Sequence, residues 1–175
     1  MTTQARPTPD DDHPALAPEH LATRHGHDTS RRHPPAREVV LAAISDAPLD
    51  VAAHEAAVDR SSAGAVVTFR GVVRDHDGGR QVTAIEYVGH PSAEKVLVEL
   101  MAELAARTDC EALAVTHRVG QLAIGDTAIV VAVCAAHRQE AFAAAALVVD
   151  EVKHRLPVWK RQQFPDGGDE WVACP

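Results

Sequence analysis

The chain reads as an α+β domain behind a polar leader, and three observations lead there. Runs with the period of a strand alternate with runs with the period of a helix. Several links between them are short turns rich in Gly and Asp, the hairpin kind that a doubly wound parallel sheet does not use. The 175 residues, 46% of them hydrophobic, suffice for one proper core, and with aromatics at only 3% that core must be built from Ala, Val and Leu. The expected division is a disordered tail over 1–36 and a single domain over 37–175.

In order, the tail is rich in Pro, Asp, Arg and His and shows no sustained apolar period, as expected of a solvated segment. The first strand is 37–45, through Val39, Val40, Leu41 and Ile44, and 50–60 is a short helix. The β-branched run GAVVTFRGVVR at 64–74 suits a core strand. It ends in DHDGGR, where Gly78 and Gly79 can take positive φ. With a further strand at 82–88, this predicts a hairpin with Arg74 at its mouth.

Residues 91–107 form a helix whose stripe is Val96, Leu97, Leu100, Met101 and Leu104, with Ser92 placed to cap it. Strands at 112–119 and 127–134 are joined by GQLAIGD, where Gly120, Gly125 and Asp126 supply turn chemistry. A long Ala-rich helix follows over about 138–156, with Phe142, Ala145, Val149, Val152 and Leu156 as its apolar stripe. The chain closes on 158–164, the turn PDGGD and 170–173, a small additional antiparallel hairpin. No internal repeat is present.

Composition removes several function classes. The formal charge of -8 argues against nucleic acid, whose binding rests on Lys and Arg neutralising phosphates. No apolar run is long enough to span a membrane, and the polar start lacks a secretory signal, so a cytoplasmic protein is expected. Cys110, Cys134 and Cys174 are odd in number and without a CxxC pair, which disfavours a disulfide framework and a zinc site; no metal or cofactor is expected in the domain. Five histidines, His13, His20, His25, His27 and His33, lie in the tail, which lacks a scaffold to fix ligand geometry. The glycines match neither a phosphate-binding loop nor a dinucleotide fingerprint, and no GxSxG elbow occurs.

What remains is a set of cationic side chains at the ends of strong elements. Arg74 ends a strand, His137 and Arg138 open the last long helix, Lys153 closes it, and Lys160, Arg161 and Gln162 follow on the next strand. Lys153 falls about 60° from the centre of its helix stripe, an edge position. An edge lysine ordinarily snorkels along a surface, so its context must carry the argument. Pro157 lacks a backbone N–H and pushes Leu156 away from helical geometry, so the chain should turn there and deliver Lys160 beside Lys153. A lysine crowded by other cations and partly desolvated yields a neutral amine more readily, and Lys153, with Lys160 and Arg155 near it in sequence, is the candidate. His137 and Arg138 stand where helix N–H groups and the helix dipole favour an anion. A helix of about fifteen residues spans roughly 22 Å, so His137 and Lys153 cannot share one small site within a subunit. If both act on one substrate, the site is shared across a homodimer.

Residues 64–172 resemble the large, catalytic subunit of molybdopterin synthase. The resemblance rests on GAVVTFRGVVR, VTAIEY, HRVGQLAIGD, AHRQEAF, VKHRLPVWKRQ and DGGDEWV, in the family's order and approximate spacing. It implies an α/β-hammerhead fold and a dimer of large subunits within a heterotetramer. Each end of that dimer would bind a small ubiquitin-like sulfur carrier whose C-terminal Gly-Gly bears a thiocarboxylate. The implied reaction inserts two sulfurs into cyclic pyranopterin monophosphate and gives the dithiolene of molybdopterin. By residue match Lys153 is the essential lysine and Lys160 the second active-site lysine. Arg161 and Gln162 continue the binding segment, Arg74 ends the GxVR strand, and His137 with Arg138 form a substrate-binding pair supplied across the dimer. Since sulfur would arrive on the carrier tail, the protein's own cysteines are not required.

The chain departs from the family pattern in places: VGHPSAEK follows Glu86-Tyr87 where the family often has a further aromatic and a Met-Ala pair, Val72 stands where some relatives have a basic residue, and three residues follow Val172 where some relatives have a longer tail. An alternative from another class is a non-catalytic dimeric module that binds a pterin or nucleotide phosphate through the same cations. A third is a carrier-binding scaffold without turnover. The pair of lysines in VKHRLPVWKRQ distinguishes catalysis from the phosphate-binding module, because phosphate binding alone does not call for it, whereas the scaffold would bind the carrier yet fail to turn over substrate.

Overall fold

The computed structural model describes residues 34–173. The expected tail over 1–36, with its five histidines, lies outside the described residues except for 34–36, and Cys174 lies outside them at the other end. The element order is β1 (Glu38–Ser45), α1 (Val51–Val58), β2 (Ala65–Val72), β3 (His76–Asp77), β4 (Arg80–Gln81), β5 (Ala84–Gly89), α2 (Ala93–Arg107), β6 (Ala112–Arg118), β7 (Gly120–Ala123), β8 (Thr127–Ala135), α3 (Arg138–Arg155), β9 (Val158–Gln163) and β10 (Asp169–Ala173). Two four-stranded sheets result, in the orders β1-β6-β8-β2 and β10-β9-β5-β7, with β3-β4 as a separate ribbon. In the first sheet β1 runs parallel to β6 while the other pairs are antiparallel, which makes the fold α+β as expected.

The composition of β6 and β8 explains the layers of the first sheet. β8 after Thr127 and the Ala112–Val115 stretch of β6 are apolar on both faces, and both strands are buried almost throughout, the pattern of strands covered on two sides. Period-two alternation sends Leu113, Val115, Val131 and Val133 to one face, where they pack with α2 and α3. The small residues Ala112, Ala114, Ala132 and Cys134 go to the other face, where they meet Val58 of α1. From α2, Leu97, Leu100, Met101 and Leu104 are fully buried and Val96 half-buried. Each fully buried side chain of this size contributes about 1.5–3 kcal/mol. Asp50 caps α1 by accepting the Ala53 N–H at 3.0 Å. Ser92 occupies the cap position of α2 but makes no cap bond; its hydroxyl lies 2.7 Å from His90 Nδ1.

Three expectations need correction. Strands β2 and β5 do not form a hairpin: β2 pairs with β8 in the first sheet and β5 with β7 and β9 in the second. The DHDGGR segment is instead its own short ribbon, turned by Gly78 and Gly79 at φ 55° and 81°. Turn chemistry sets the local reversal, but Val73 and Val82, which drop into the second sheet's small core with Ile85, Leu122 and Phe164, decide where the flanking chain goes. The GQLA of the expected loop is itself a strand, β7, whose buried Leu122 joins that core. On α3 the buried stripe is Ala141, Ala144, Ala145, Val148 and Val152, about one residue round from the expected one. Phe142 is 62% exposed, because alanines bring the helix close to β2 and β8 and leave no room beneath for a ring. The closing hairpin forms as expected, but β9 also pairs with β5, so it belongs to the second sheet rather than standing apart from it.

Candidate active site

The last turn of α3 meets both sheets, and there a cavity of about 350 Å³ opens, lined by Phe69, Tyr87, His117, Lys153 and Lys160 among others. An adjoining depression adds Gln162 to Arg74, Asp77 and the two lysines. Pro157 arranges this. Leu156 is extended (φ -73°, ψ 122°), its N–H closes the helix on the Val152 carbonyl at 2.9 Å, and β9 starts at Val158. Lys153 thus approaches from a helix and Lys160 from a strand.

Along β9 the strand period sorts the polar residues. Val158, Lys160, Gln162 and Phe164 turn to the interior side, and Gln162 is buried. Arg161 turns the other way and does not line the cavity. It pairs with Glu86 at 3.1 Å and Asp169 at 3.5 Å, with its guanidinium 5.6 Å from the Trp171 ring centre.

Asp77 organises the polar wall, although the sequence reading did not single it out. Its Oδ2 accepts from Lys160 Nζ at 2.9 Å and from Gln162 Nε2, and its Oδ1 accepts from Arg74 Nη2 at 2.8 Å. Lys160 foremost, then Gln162, hold this carboxyl well below the usual carboxylate range, so it is ionised at any working pH. Lys153, by contrast, is exposed and has no ion-pair partner among the described residues. The cations expected to crowd it are compensated: Lys160 by Asp77, and Arg155 by Glu103 at 2.8 Å and Glu151 at 3.3 Å, on the side facing α2.

His117 was also not anticipated. It shares a face of β6 with Leu113 and Val115, and its only sequence signal is a polar residue continuing an apolar alternation. Nδ1 stands 2.8 Å from the Arg118 carbonyl, which only accepts, so Nδ1 carries the proton. Burial pushes its pKa down to about 4, so the ring is neutral, and it meets Tyr87 edge-on at 5.2 Å between centroids. At the other end of α3, His137 and Arg138 are exposed. Sixteen residues of rise put them roughly 24 Å from Lys153, so this subunit alone does not bring them to the cavity. Cys110 and Cys134 are buried free thiols whose pKa burial raises, which disfavours the thiolate needed for sulfur chemistry.

Comparison with known proteins places these features in a family. The model of the MoaE protein family matches residues 44–155. A molybdopterin synthase catalytic subunit from Nostoc sp. is 36% identical over 133 residues, covering 75% of this chain and 81% of that protein. Among solved structures, molybdopterin synthase from Staphylococcus aureus superposes with a TM-score of 0.68 at 30% identity, over 74% of this chain and 94% of that one. A protein complex of subunits 1 and 2 of molybdopterin-converting factor from Helicobacter pylori contains a chain of the same fold, with a TM-score of 0.59 at 18% identity over 77% and 89% of the two chains. The family match spans well over half of the chain and takes in all three helices, most of the first sheet, and β5 and β7 of the second, which establishes that this chain belongs to the MoaE protein family.

Proposed function

We propose that this protein is the catalytic subunit of a molybdopterin synthase, moving sulfur from the thiocarboxylated C-terminus of a small ubiquitin-like carrier onto cyclic pyranopterin monophosphate. The observation that carries the reading is the pairing of unlike lysines in one cavity. Lys160 is tethered to Asp77, while Lys153 has no carboxylate partner among the described residues. Both reactants are anionic, and an acidic protein binds them only through a local cationic wall, here Arg74, Lys153 and Lys160. In this reading Lys153 supplies the reactive amine, Lys160 and Gln162 bind the carrier tail or the pterin, and Arg74 meets its phosphate. His137 and Arg138 serve the neighbouring subunit's cavity, and Arg161 shapes the carrier side of β9 beside Trp171.

In this reading the assembly is a homodimer of this chain with one carrier at each end, a heterotetramer, and the second copy supplies the cavity that His137 and Arg138, roughly 24 Å from Lys153 along α3, do not reach in their own subunit. The two buried thiols take no part, and the cytoplasm is its place of action; among the described residues no helix is long and apolar enough to cross a membrane. The test is reconstitution: purified protein, thiocarboxylated carrier and cyclic pyranopterin monophosphate should give the dithiolene product. Folded protein that binds the carrier but forms no product would move the function to a scaffold.

A further inference from the structure

We propose that Asp77 is a positioning residue of this site: its carboxylate gathers Lys160, Gln162 and Arg74 into one array and leaves Lys153 as the cavity amine with no ion-pair partner among the described residues. The proposal rests on the sulfur-transfer reading for what the array binds, but the array itself is geometry. Its three donors come from two separate parts of the chain: Arg74 from the link two residues after β2, Lys160 and Gln162 from alternate positions of β9, more than eighty residues away from Asp77 in sequence. All three converge on one carboxylate at the start of the Gly78-Gly79 turn. Lys160 and Asp77 are part-buried, with side-chain exposures of 17% and 27%, so solvent competes weakly for this pair, whereas Arg74 is 66% exposed and free to pivot.

A flexible four-carbon stem normally lets a lysine ammonium wander. Here the ion pair fixes the Lys160 nitrogen, and Gln162 bonding to the same oxygen fixes the carboxylate in turn. A charge held in place before the ligand arrives costs no reorganisation on binding. Among the described residues Asp77 forms no hydrogen bond or ion pair with Lys153, so the two lysines are set apart by their partners rather than by residue type.

The chain has three lysines, Lys95, Lys153 and Lys160, which makes the array directly readable. Competitive acetylation with acetic anhydride, quantified by mass spectrometry, should label Lys160 several-fold more slowly than exposed Lys95 in the wild-type protein. In Asp77→Ala the Lys160 rate should rise toward that of Lys95, while Lys153 and Lys95 keep their ratio. In the reconstituted reaction the same variant should raise KM for the anionic substrate about tenfold with a smaller change in kcat. Asp77→Asn, which keeps an oxygen acceptor, should recover part of the loss.

An unchanged Lys160 labelling ratio would overturn the proposal, whatever the activity. A lower KM in Asp77→Ala would also overturn it, since the carboxylate would then be a competitor of the substrate. Wild-type protein that shows the labelling pattern but no turnover would defeat the sulfur-transfer reading and leave the array standing.

Discussion

At its N-terminal end α3 starts from an extended His137 and leaves Arg138 and Gln139 in solvent. At its C-terminal end the last turn is enclosed by both sheets, with Val152 and Leu156 buried and Lys153 at the rim of a cavity. One helix therefore carries cationic residues of similar sequence character at both ends, and among the described residues a cavity is built around its C-terminal end. Charge at a helix terminus is inexpensive to place; what makes chemistry there is the wall supplied by other elements, here β5, β6, β9 and the β3-β4 ribbon. The far end can serve a site only if a second copy brings its own wall to it.

Removing the amine at the built end has the largest expected effect. Lys153→Ala should lower turnover by about a hundredfold or more with the fold and carrier binding intact, because the side chain is exposed. Near-normal turnover would take Lys153 out of the chemistry. The open end is tested next by mixing. Equal amounts of Lys153→Ala and Arg138→Ala chains, each inactive alone, should recover about a quarter of the wild-type sites through hybrid dimers; no recovery would mean that the two ends of α3 do not meet across copies.

Acid separates the ends by stability. The native pKa of His117, about 4, lies below its ordinary 6.5, so between those values the unfolded chain takes up a proton that the folded protein refuses. The cost is absent above pH 6.5, grows as pH falls, and levels off below about 4 at about 3 kcal/mol. Asp77, held low, adds a further loss only below its unfolded pKa near 3.8. Denaturation midpoints stepped down in pH should trace this ramp, and His117→Gln should flatten it; an equally steep ramp in that variant would assign the proton elsewhere. The smallest effect belongs to the shaft between the ends. Val148→Ala, at a fully buried position, should cost about 1–3 kcal/mol in chemical denaturation while leaving turnover per folded molecule unchanged.

Much of the fold was legible because its signals are local. The stripe of α2, the Pro157 break and the PDGGD hairpin each depend on residues a few positions apart, and each stands where the sequence puts it. The misplaced features depend on distant partners. Leu122 in GQLA reads as part of a turn until β5 is there to pair with it, and Phe142 reads as core until the alanines of α3 draw the helix down onto β2 and β8.

The site divides in the same way. That Lys153 and Lys160 approach one place follows from a helix ending at proline, a matter of backbone covalent geometry, and the alternation that sends Lys160 and Gln162 one way and Arg161 the other is a property of any strand once β9 is drawn. Composition, the α+β class, the family and the inability of one subunit to join both ends of α3 were all contained in the chain itself. Tertiary structure alone decided that Asp77, more than eighty residues before Lys160, would neutralise it, that Glu103 would draw Arg155 away, and that His117 would stand neutral against Tyr87. Electrostatic partnership is set by distance in space and by burial, and neither is encoded in spacing along the chain.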